Sequence, residues 1–310
     1  VEIAPAPGLD PAVRERLLAD AVRLVRAAGY VNAGTVEFLV VPETGEHWFI
    51  ECNPRIQVEH TVTEEVTGLD LVQLQIQVAA GQRFPDLGLD SAQPPQAHGH
   101  AIQLRICAES LNAQGQTQSS SGTLSRFDMP SGPGLRLDTH GFAGATPSPH
   151  FDTLLAKLIV SAKTGSFAHV ARRAARALRE CHVAGADTNI ALLQALLERP
   201  DFAQQHIHTR YVEQHWIGLI QEAQALTPPQ ATQVPSATPT KPQPEGERLH
   251  AHEHGVRSPM AAKLVQIDVR VGDLVPQGQQ VAVIEAMKME HVVLAATAGR
   301  VKTIAATAGS

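Results

Sequence analysis

An α+β body of about 225 residues, followed by a linker and a small all-β module, is the architecture that this 310-residue sequence predicts. Three observations carry it. Helix-spaced apolar segments alternate with hairpin-like and short β-rich runs as far as Ala225. Thr227 to Gly246 then places six prolines in 20 residues among Gln, Thr, Ser and Ala, a composition that cannot build a core. Beyond it Lys263-Leu264-x-x-Ile267-x-Val269-x-Val271-Gly272-Asp273 recurs 37 residues later as Arg300-Val301-x-x-Ile304-x-Ala306-x-Ala308-Gly309-Ser310, the mark of two similar β units sharing a core.

Asp10-Pro11, followed by Val13, Leu17, Ala21, Leu24, Val25 and Ala28, predicts an amphipathic helix. Asp10 is its N-cap, Pro11 its first residue and Gly29 its stop. A hairpin follows, Thr35 to Val41 and His47 to Cys52 about a turn at Pro42-Glu43-Thr44-Gly45. Asp70 to Ala80 returns to helical spacing and stops at Gly81, and Ser166 to Arg179 and Thr188 to Glu198 are helical again. From His100 to about Val160, short β-rich runs alternate with Gly, Pro and Ser turns. In the C-terminal module Val275-Pro276-Gln277-Gly278 leads to a strand at Val281 to Glu285, and the second copy of the repeat reaches Ser310 where its counterpart strand would begin. The chain also opens on Val1 rather than Met, so both ends are expected to be cut from a longer protein.

Charge and composition narrow the function. With 25 Lys+Arg against 31 Asp+Glu the formal charge is −6, and only 12 residues are aromatic, which argues against a nucleic-acid partner. Cys52, Cys107 and Cys181 form no CxxC pair and are odd in number, so they read as free thiols of a reducing compartment, the cytoplasm. There is no apolar run of 18 residues for a membrane span and no signal peptide.

A hairpin centred near Thr44 puts Glu37 and Glu51 opposite each other on one face. Like charges so placed repel unless a cation lies between them. Two carboxylates and the amide oxygen of Asn53 are hard ligands suited to Mg²⁺ or Mn²⁺ held with phosphates.

The run Phe49-Ile50-Glu51-Cys52-Asn53-Pro54-Arg55-Ile56-Gln57-Val58-Glu59-His60 closely resembles the signature of biotin carboxylases within the ATP-grasp superfamily. The similarity extends through Ala4-Pro5-Ala6-Pro7-Gly8, Gly34-Thr35-Val36-Glu37-Phe38, Gly99-His100-Ala101-Ile102-Gln103-Leu104-Arg105-Ile106 and Phe151-Asp152-Thr153-Leu154-Leu155-Ala156-Lys157-Leu158, and covers nearly all of residues 1 to about 215. It implies the following roles. Glu37, Glu51 and Asn53 hold the metal ions on ATP. Arg55, Gln57 and the backbone of Val58 bind bicarbonate, the guanidinium offering a planar fork to a planar oxyanion. Glu59 is the general base that deprotonates bicarbonate for attack on the γ-phosphate. Arg105 stabilises negative charge on the biotin ureido oxygen. In the family, carboxyphosphate then yields carbon dioxide, which N1 of biotin captures. The sequence departs from the family pattern at Gln103, at Cys107 to Ser110 and at Ser119 to Gly122, but keeps the arginine at 105.

Glu285-Ala286-Met287-Lys288-Met289-Glu290 lies at an expected hairpin tip, with Ser258-Pro259-Met260 and Val271-Gly272-Asp273 at the spacings of biotinyl domains. The module thus resembles a biotin carboxyl carrier domain with biotin attached at Lys288. Lipoyl domains share the fold but usually lack the paired methionines.

The resemblance implies a division into residues 1–82, the C-terminal part of an ATP-grasp domain, and 83–225, a β-rich biotin carboxylase C-terminal subdomain. A Pro-rich linker over 226–255 and a biotinyl/lipoyl-like barrel over 256–310 complete it. It implies the first half-reaction of a biotin-dependent carboxylase, with ATP, biotin and Mg or Mn as cofactors. A biotin ligase, a carboxyltransferase subunit or domain, and bicarbonate are its implied partners, with a homo-oligomer formed through the carboxylase part. The nucleotide-holding lysines and glycine-rich lid of the family would precede Val1, so activity belongs to the parent protein. An acyl-CoA is the favoured acceptor; pyruvate, urea and a non-catalytic biotinyl carrier are the alternatives, the last having no need of the set at Glu37, Glu51, Asn53, Arg55, Glu59 and Arg105. His250, His252 and His254 alternate but follow a linker without acidic or Cys partners and receive no metal role, the arginines at 172, 173, 176 and 179 read as a solvated helix face, and Glu64 with Glu65 as charges favouring the start of the next helix.

Overall fold

The computed structural model describes residues 1–90, 94–111, 117–147, 152–226, 253–258, 262–286 and 289–307. They fall into two compact units, one of Val1–Pro147 with Thr153–Pro228 and one of Ser148–Asp152 with Pro229–Ser310.

In the first unit β1 (Glu2–Ala4) leads to α1 (Pro11–Ala27), where the Asp10 carboxylate accepts from the amides of Ala12 and Val13 as the capping pattern requires. The hairpin is β2 (Thr35–Val41) with β3 (Glu46–Asn53), and Gly45 turns it at a φ of 67° that an L side chain rarely adopts. Next come α2 (His60–Thr67), α3 (Leu71–Ala79), capped by Asp70 on the amide of Gln73, and a 3-10 turn over Phe84–Leu87. The β-rich stretch resolves into β4 (His100–Cys107), β5 (Glu109–Leu111), β6 (Thr117–Ser119), β7 (Arg126–Asp128), β8 (Leu135–Thr139) and β9 (Leu154–Ala162). The unit closes with α4 (Phe167–Arg179), β10 (His182–Ala184), α5 (Ile190–Glu198), α6 (Pro200–Gln204) and α7 (Tyr211–Leu226). The sequence pattern singles out α4 and α5 but no helix at α2, α6 or α7.

An antiparallel sheet in the order β1-β4-β9-β8 is the centre of this unit. Alternation divides its two faces. Ile102, Leu104 and Ile106 of β4, with Ala156, Leu158 and Val160 of β9, pack against Phe167, Val170, Ala174 and Leu178 of α4. On the opposite face Ala101 and Ile159 meet Val62 and Val66 of α2. Both faces are covered, yet β4 keeps Gln103 and Arg105 among its apolar residues, both on the α2 side of the sheet. Gly99, just before β4, has a φ of 72°, and a Cβ there would run into the carbonyl of Ala162. Arg173 donates to the carbonyls of Ser161 and Pro133, so that arginine of α4 is a structural tie rather than part of a solvated face.

The second unit contains β11 (Lys263–Ile267), β12 (Leu274–Val275), β13 (Gln280–Ala286), β14 (Met289–Leu294) and β15 (Gly299–Arg300). Its sheets are β11-β13-β14 and β12-β15. Leu264 and Val269 from the first repeat copy and Val301 from the second pack on one cluster with Val275, Val281, Ile284, Val293 and Ala295. The copies differ, however: Lys263–Ile267 is strand, whereas of the second copy only Arg300 is strand among the described residues. Most of the expected linker lies outside the described residues.

Candidate functional site

The hairpin pairs Glu37 directly with Glu51. The register arises differently from the simple two-residue alternation about Thr44. Val41 opposite Glu46 sets a tighter turn, and a bulge between Glu37 and Phe38 adds one residue on β3 and restores the pairing. Without that bulge Glu37 would face Ile50. Both glutamates therefore share a face, and the amide nitrogen of Asn53 donates to Glu37 Oε1 at 3.0 Å and to Glu51 Oε1 at 2.8 Å. This donor partly offsets the repulsion of two like charges on paired strands.

The segment after β3 folds back on the same pair. Gln57 Nε2 donates to Glu37 Oε1 at 3.0 Å, while Gln57 Oε1 is buried without a hydrogen-bond partner among the described residues. Arg55 is exposed and turned onto the carbonyl of Ile56 at 3.1 Å. The Val58 carbonyl accepts from Lys157 Nζ at 3.3 Å. Glu59 stands at the start of α2 and accepts from Arg105 Nη2 at 3.0 Å. Glu2 Oε1 lies 2.7 Å from Arg105 Nε but outside hydrogen-bond alignment, so this buried N–H has an ionic neighbour and no hydrogen bond. The guanidinium thus sits between two carboxylates, with its side chain still 38% exposed.

Behind this site a charged layer lies beside the valines that join α2 to the sheet. Arg136 bonds both oxygens of Asp138, at 2.9 and 3.1 Å, and reaches Glu64 at 2.7 Å. Glu64 is buried and also accepts from the amide of Leu71, so it does support the start of α3 as expected, but as an ion-paired core group. Lys157 lies 3.2 Å from Asp138. Burial alone would raise the Asp138 carboxyl; the hydrogen bonds from Arg136 and Lys157 outweigh it and hold the group below its ordinary range. Asn189 clamps the end of β4, accepting from the amide of Cys107 at 2.9 Å and donating to the carbonyl of Arg105 at 3.0 Å. Burial, with Glu180 nearby, pushes the Cys181 thiol up to about 12.

The structure thus brings Glu37, Glu51, Asn53 and Gln57 together, and Glu59 with Arg105. Glu2, Lys157 and Asn189 are the neighbours that sequence reasoning does not single out. Lys157 belongs to a quoted run, but its contact with Val58 spans 99 positions and leaves no local signal. Lys288 lies outside the described residues, as do Met287, Pro259, Met260, His250 and His252. A cavity of about 570 Å³ between α5, α7 and the β5–β6 pair includes none of the predicted site residues.

Three family models match the chain: the carbamoyl-phosphate synthase L chain ATP-binding domain over residues 1–87, the biotin carboxylase C-terminal domain over 103–214, and the biotin-requiring enzyme model over 254–310. Pyruvate carboxylase 1 of Caenorhabditis elegans is 47% identical over 216 residues, and the mitochondrial pyruvate carboxylase of Homo sapiens 46% over 216 residues. Each match covers 69% of this chain and 18% of the relative, so the chain spans about a fifth of these relatives' length. Among solved structures, a single-chain, multi-domain long-chain acyl-CoA carboxylase matches 99% of this chain and 30% of its own, at TM-score 0.67 and 38% identity. The biotin carboxylase domain of a thermophilic 2-oxoglutarate carboxylase bound to bicarbonate matches 70% of this chain and 47% of its own, at TM-score 0.65 and 37% identity.

Proposed function

We propose, from the premise that this chain belongs to the biotin-dependent carboxylases, that its protein uses ATP and bicarbonate to carboxylate a biotin carried on Lys288. The observation that carries this reading is the Gln57–Glu37 hydrogen bond at 3.0 Å. It joins the carboxylate pair suited to a divalent cation to the segment suited to a small oxyanion, so metal-bound phosphate and bicarbonate would meet at one place.

The residues present fit these groups. Glu37 and Glu51 repel each other until a cation or a donor comes between them. Asn53 supplies the donor; turning its amide about the last torsion presents Oδ1 instead, as a third hard ligand. The remaining Mg²⁺ or Mn²⁺ ligands would be phosphate and water oxygens. The metal, when bound, supplies charge neutralisation on the phosphates. Gln57 Oε1 is buried and unpartnered, so this amide has hydrogen-bonding capacity to spare, and a turn about its last torsion would aim Nε2 at the anion and leave the one bicarbonate O–H to Glu59. Arg55, exposed, has its planar fork free to turn from the Ile56 carbonyl to the anion. Glu59 takes the bicarbonate proton. Its pair with Arg105 is about one-third exposed on both sides, the kind of ion pair worth about 1 kcal/mol or less, so it opens at small cost. Arg105 then turns its freed N–H groups to the developing ureido oxyanion.

The domain division at residues 82, 225 and 255 belongs to this proposal, as do the biotin ligase, the carboxyltransferase, the oligomer formed through the carboxylase part and the cytoplasmic setting. For the final acceptor an acyl-CoA is supported by the long-chain acyl-CoA carboxylase structure, which matches both the body and the biotinyl part. Pyruvate is the second reading, favoured by the 45–47% identity of the pyruvate carboxylases over the body. The test is ADP release by the protein containing this segment, with free biotin as acceptor. Bicarbonate-dependent release that Arg105→Ala reduces, with MgATP binding retained, is expected; release independent of bicarbonate overturns the reading.

A further inference from the structure

Lys157 is an awkward residue for a strand to bury. It stands directly opposite Arg105 across the β4–β9 pair, on the face covered by α2. Like charges so placed destabilise a sheet, and its side chain is only 12% exposed, so desolvation adds to the cost. Asp138 faces it on β8 but is already held by two hydrogen bonds from Arg136. Lys157 adds to the charge balance at Asp138, but that pairing alone does not say why its amine also lies against the loop before α2.

In that loop Lys157 Nζ donates to the carbonyl of Val58 at 3.3 Å. A peptide group is planar, so holding that oxygen fixes the plane that also contains the amide of Glu59. Arg105, the cross-strand neighbour of Lys157, holds the carboxylate of the same Glu59 at 3.0 Å. Two adjacent cations of the sheet thus grip one residue, one through its backbone and one through its side chain. Asp138, anchored by Arg136, limits where the lysine can reach.

We propose that Lys157 is a positioning residue that sets the Val58–Glu59 peptide for bicarbonate, acting through that carbonyl rather than on the substrate. This rests on the function proposed above. A shift of the loop misplaces the bicarbonate ligands and leaves the hairpin that would hold metal–ATP in place.

The test compares wild type, Lys157→Met, Lys157→Gln and Lys157→Arg in the complete protein, measuring bicarbonate-dependent ATP cleavage and thermal midpoints. Lys157→Met is expected to raise KM for bicarbonate by about 10-fold or more, on the scale of misplacement effects, with KM for MgATP within about twofold. Lys157→Arg, which keeps a cationic donor, is expected to restore most of the bicarbonate affinity. Equal changes in both KM values, or no change in either, overturn the proposal. If Lys157→Met does not fold, Lys157→Gln, which keeps an N–H donor without the charge, decides by the same split between the two substrates. A wild type with no bicarbonate-dependent cleavage overturns the functional reading and this inference together. An active wild type with an indifferent Lys157→Met overturns this inference alone.

Discussion

Replacing Glu51 by Gln is expected to stabilise the metal-free protein and to remove its response to magnesium. Glu37 and Glu51 are direct cross-strand partners, and both accept from the one Asn53 nitrogen, at 3.0 and 2.8 Å. That places the bonded oxygens no more than about 6 Å apart, where two charges in water repel by roughly 0.7 kcal/mol before screening. Salt and the exposure of Glu51 reduce this, so the gain on removing one charge is about 0.5 kcal/mol, within the usual range for opposed like charges on paired strands. For a unit of this size the thermal midpoint should rise by about 1–2 °C. Gln keeps the volume and an acceptor oxygen for Asn53, so charge is the main change. The assay is thermal unfolding in EDTA and again with MgCl₂ and a non-hydrolysable ATP analogue. The wild type should gain in the second condition, and the variant much less. A variant that is less stable in EDTA and still gains with the metal nucleotide would refute a cation between these carboxylates.

Other expectations follow from separate parts of the structure. Mass spectrometry after co-expression with a biotin ligase should find biotin at position 288, and Lys288→Arg should abolish it. In the folded protein the exposed Cys52 should react readily with a thiol reagent at pH 8, while Cys181, buried with its thiol pushed up to about 12, should react only on unfolding; equal labelling rates would contradict that burial. Because the Asp138 carboxyl is held low in the folded state, the unfolded chain binds the proton more readily, and the contribution of Asp138 to stability is present above the unfolded value of about 3.9 and lost as pH falls below it. Asp138→Asn should therefore lower the thermal midpoint at pH 6, and the gap to wild type should narrow below about pH 4; a gap unchanged with pH removes the ionised pair from the account.

Local chemistry made some of this legible in the sequence. Asp10-Pro11 and Asp70 announce α1 and α3 because capping acts within three residues, and both carboxylates do accept from the amides just inside. The facing of Glu37 and Glu51 was readable for a partly different reason: a tighter turn and a bulge offset each other. By contrast α2 carries threonines at 61, 63 and 67 and valines at 62 and 66, which are poor helix formers. It is helical because Val62 and Val66 pack on Ala101 and Ile159, a contact with residues far along the chain. The same holds for the charged layer. Glu2, Lys157 and Asn189 acquire their partners only when the sheet forms, and no spacing along the chain encodes that.

Glu59 directly follows the oxyanion segment Arg55–Val58 and accepts from Arg105, and the proposed chemistry depends most on it. Glu59→Gln keeps the size of the side chain and an oxygen that can accept from Arg105, and removes the base. The measurement is the rate of bicarbonate-dependent carboxylation of biotin by the complete protein at saturating MgATP, with MgATP affinity determined alongside. A fall of about 100-fold or more at unchanged nucleotide affinity is expected, the ordinary scale of acid–base catalysis. Near-normal carboxylation by Glu59→Gln would contradict the account, because an amide at position 59 cannot remove the bicarbonate proton.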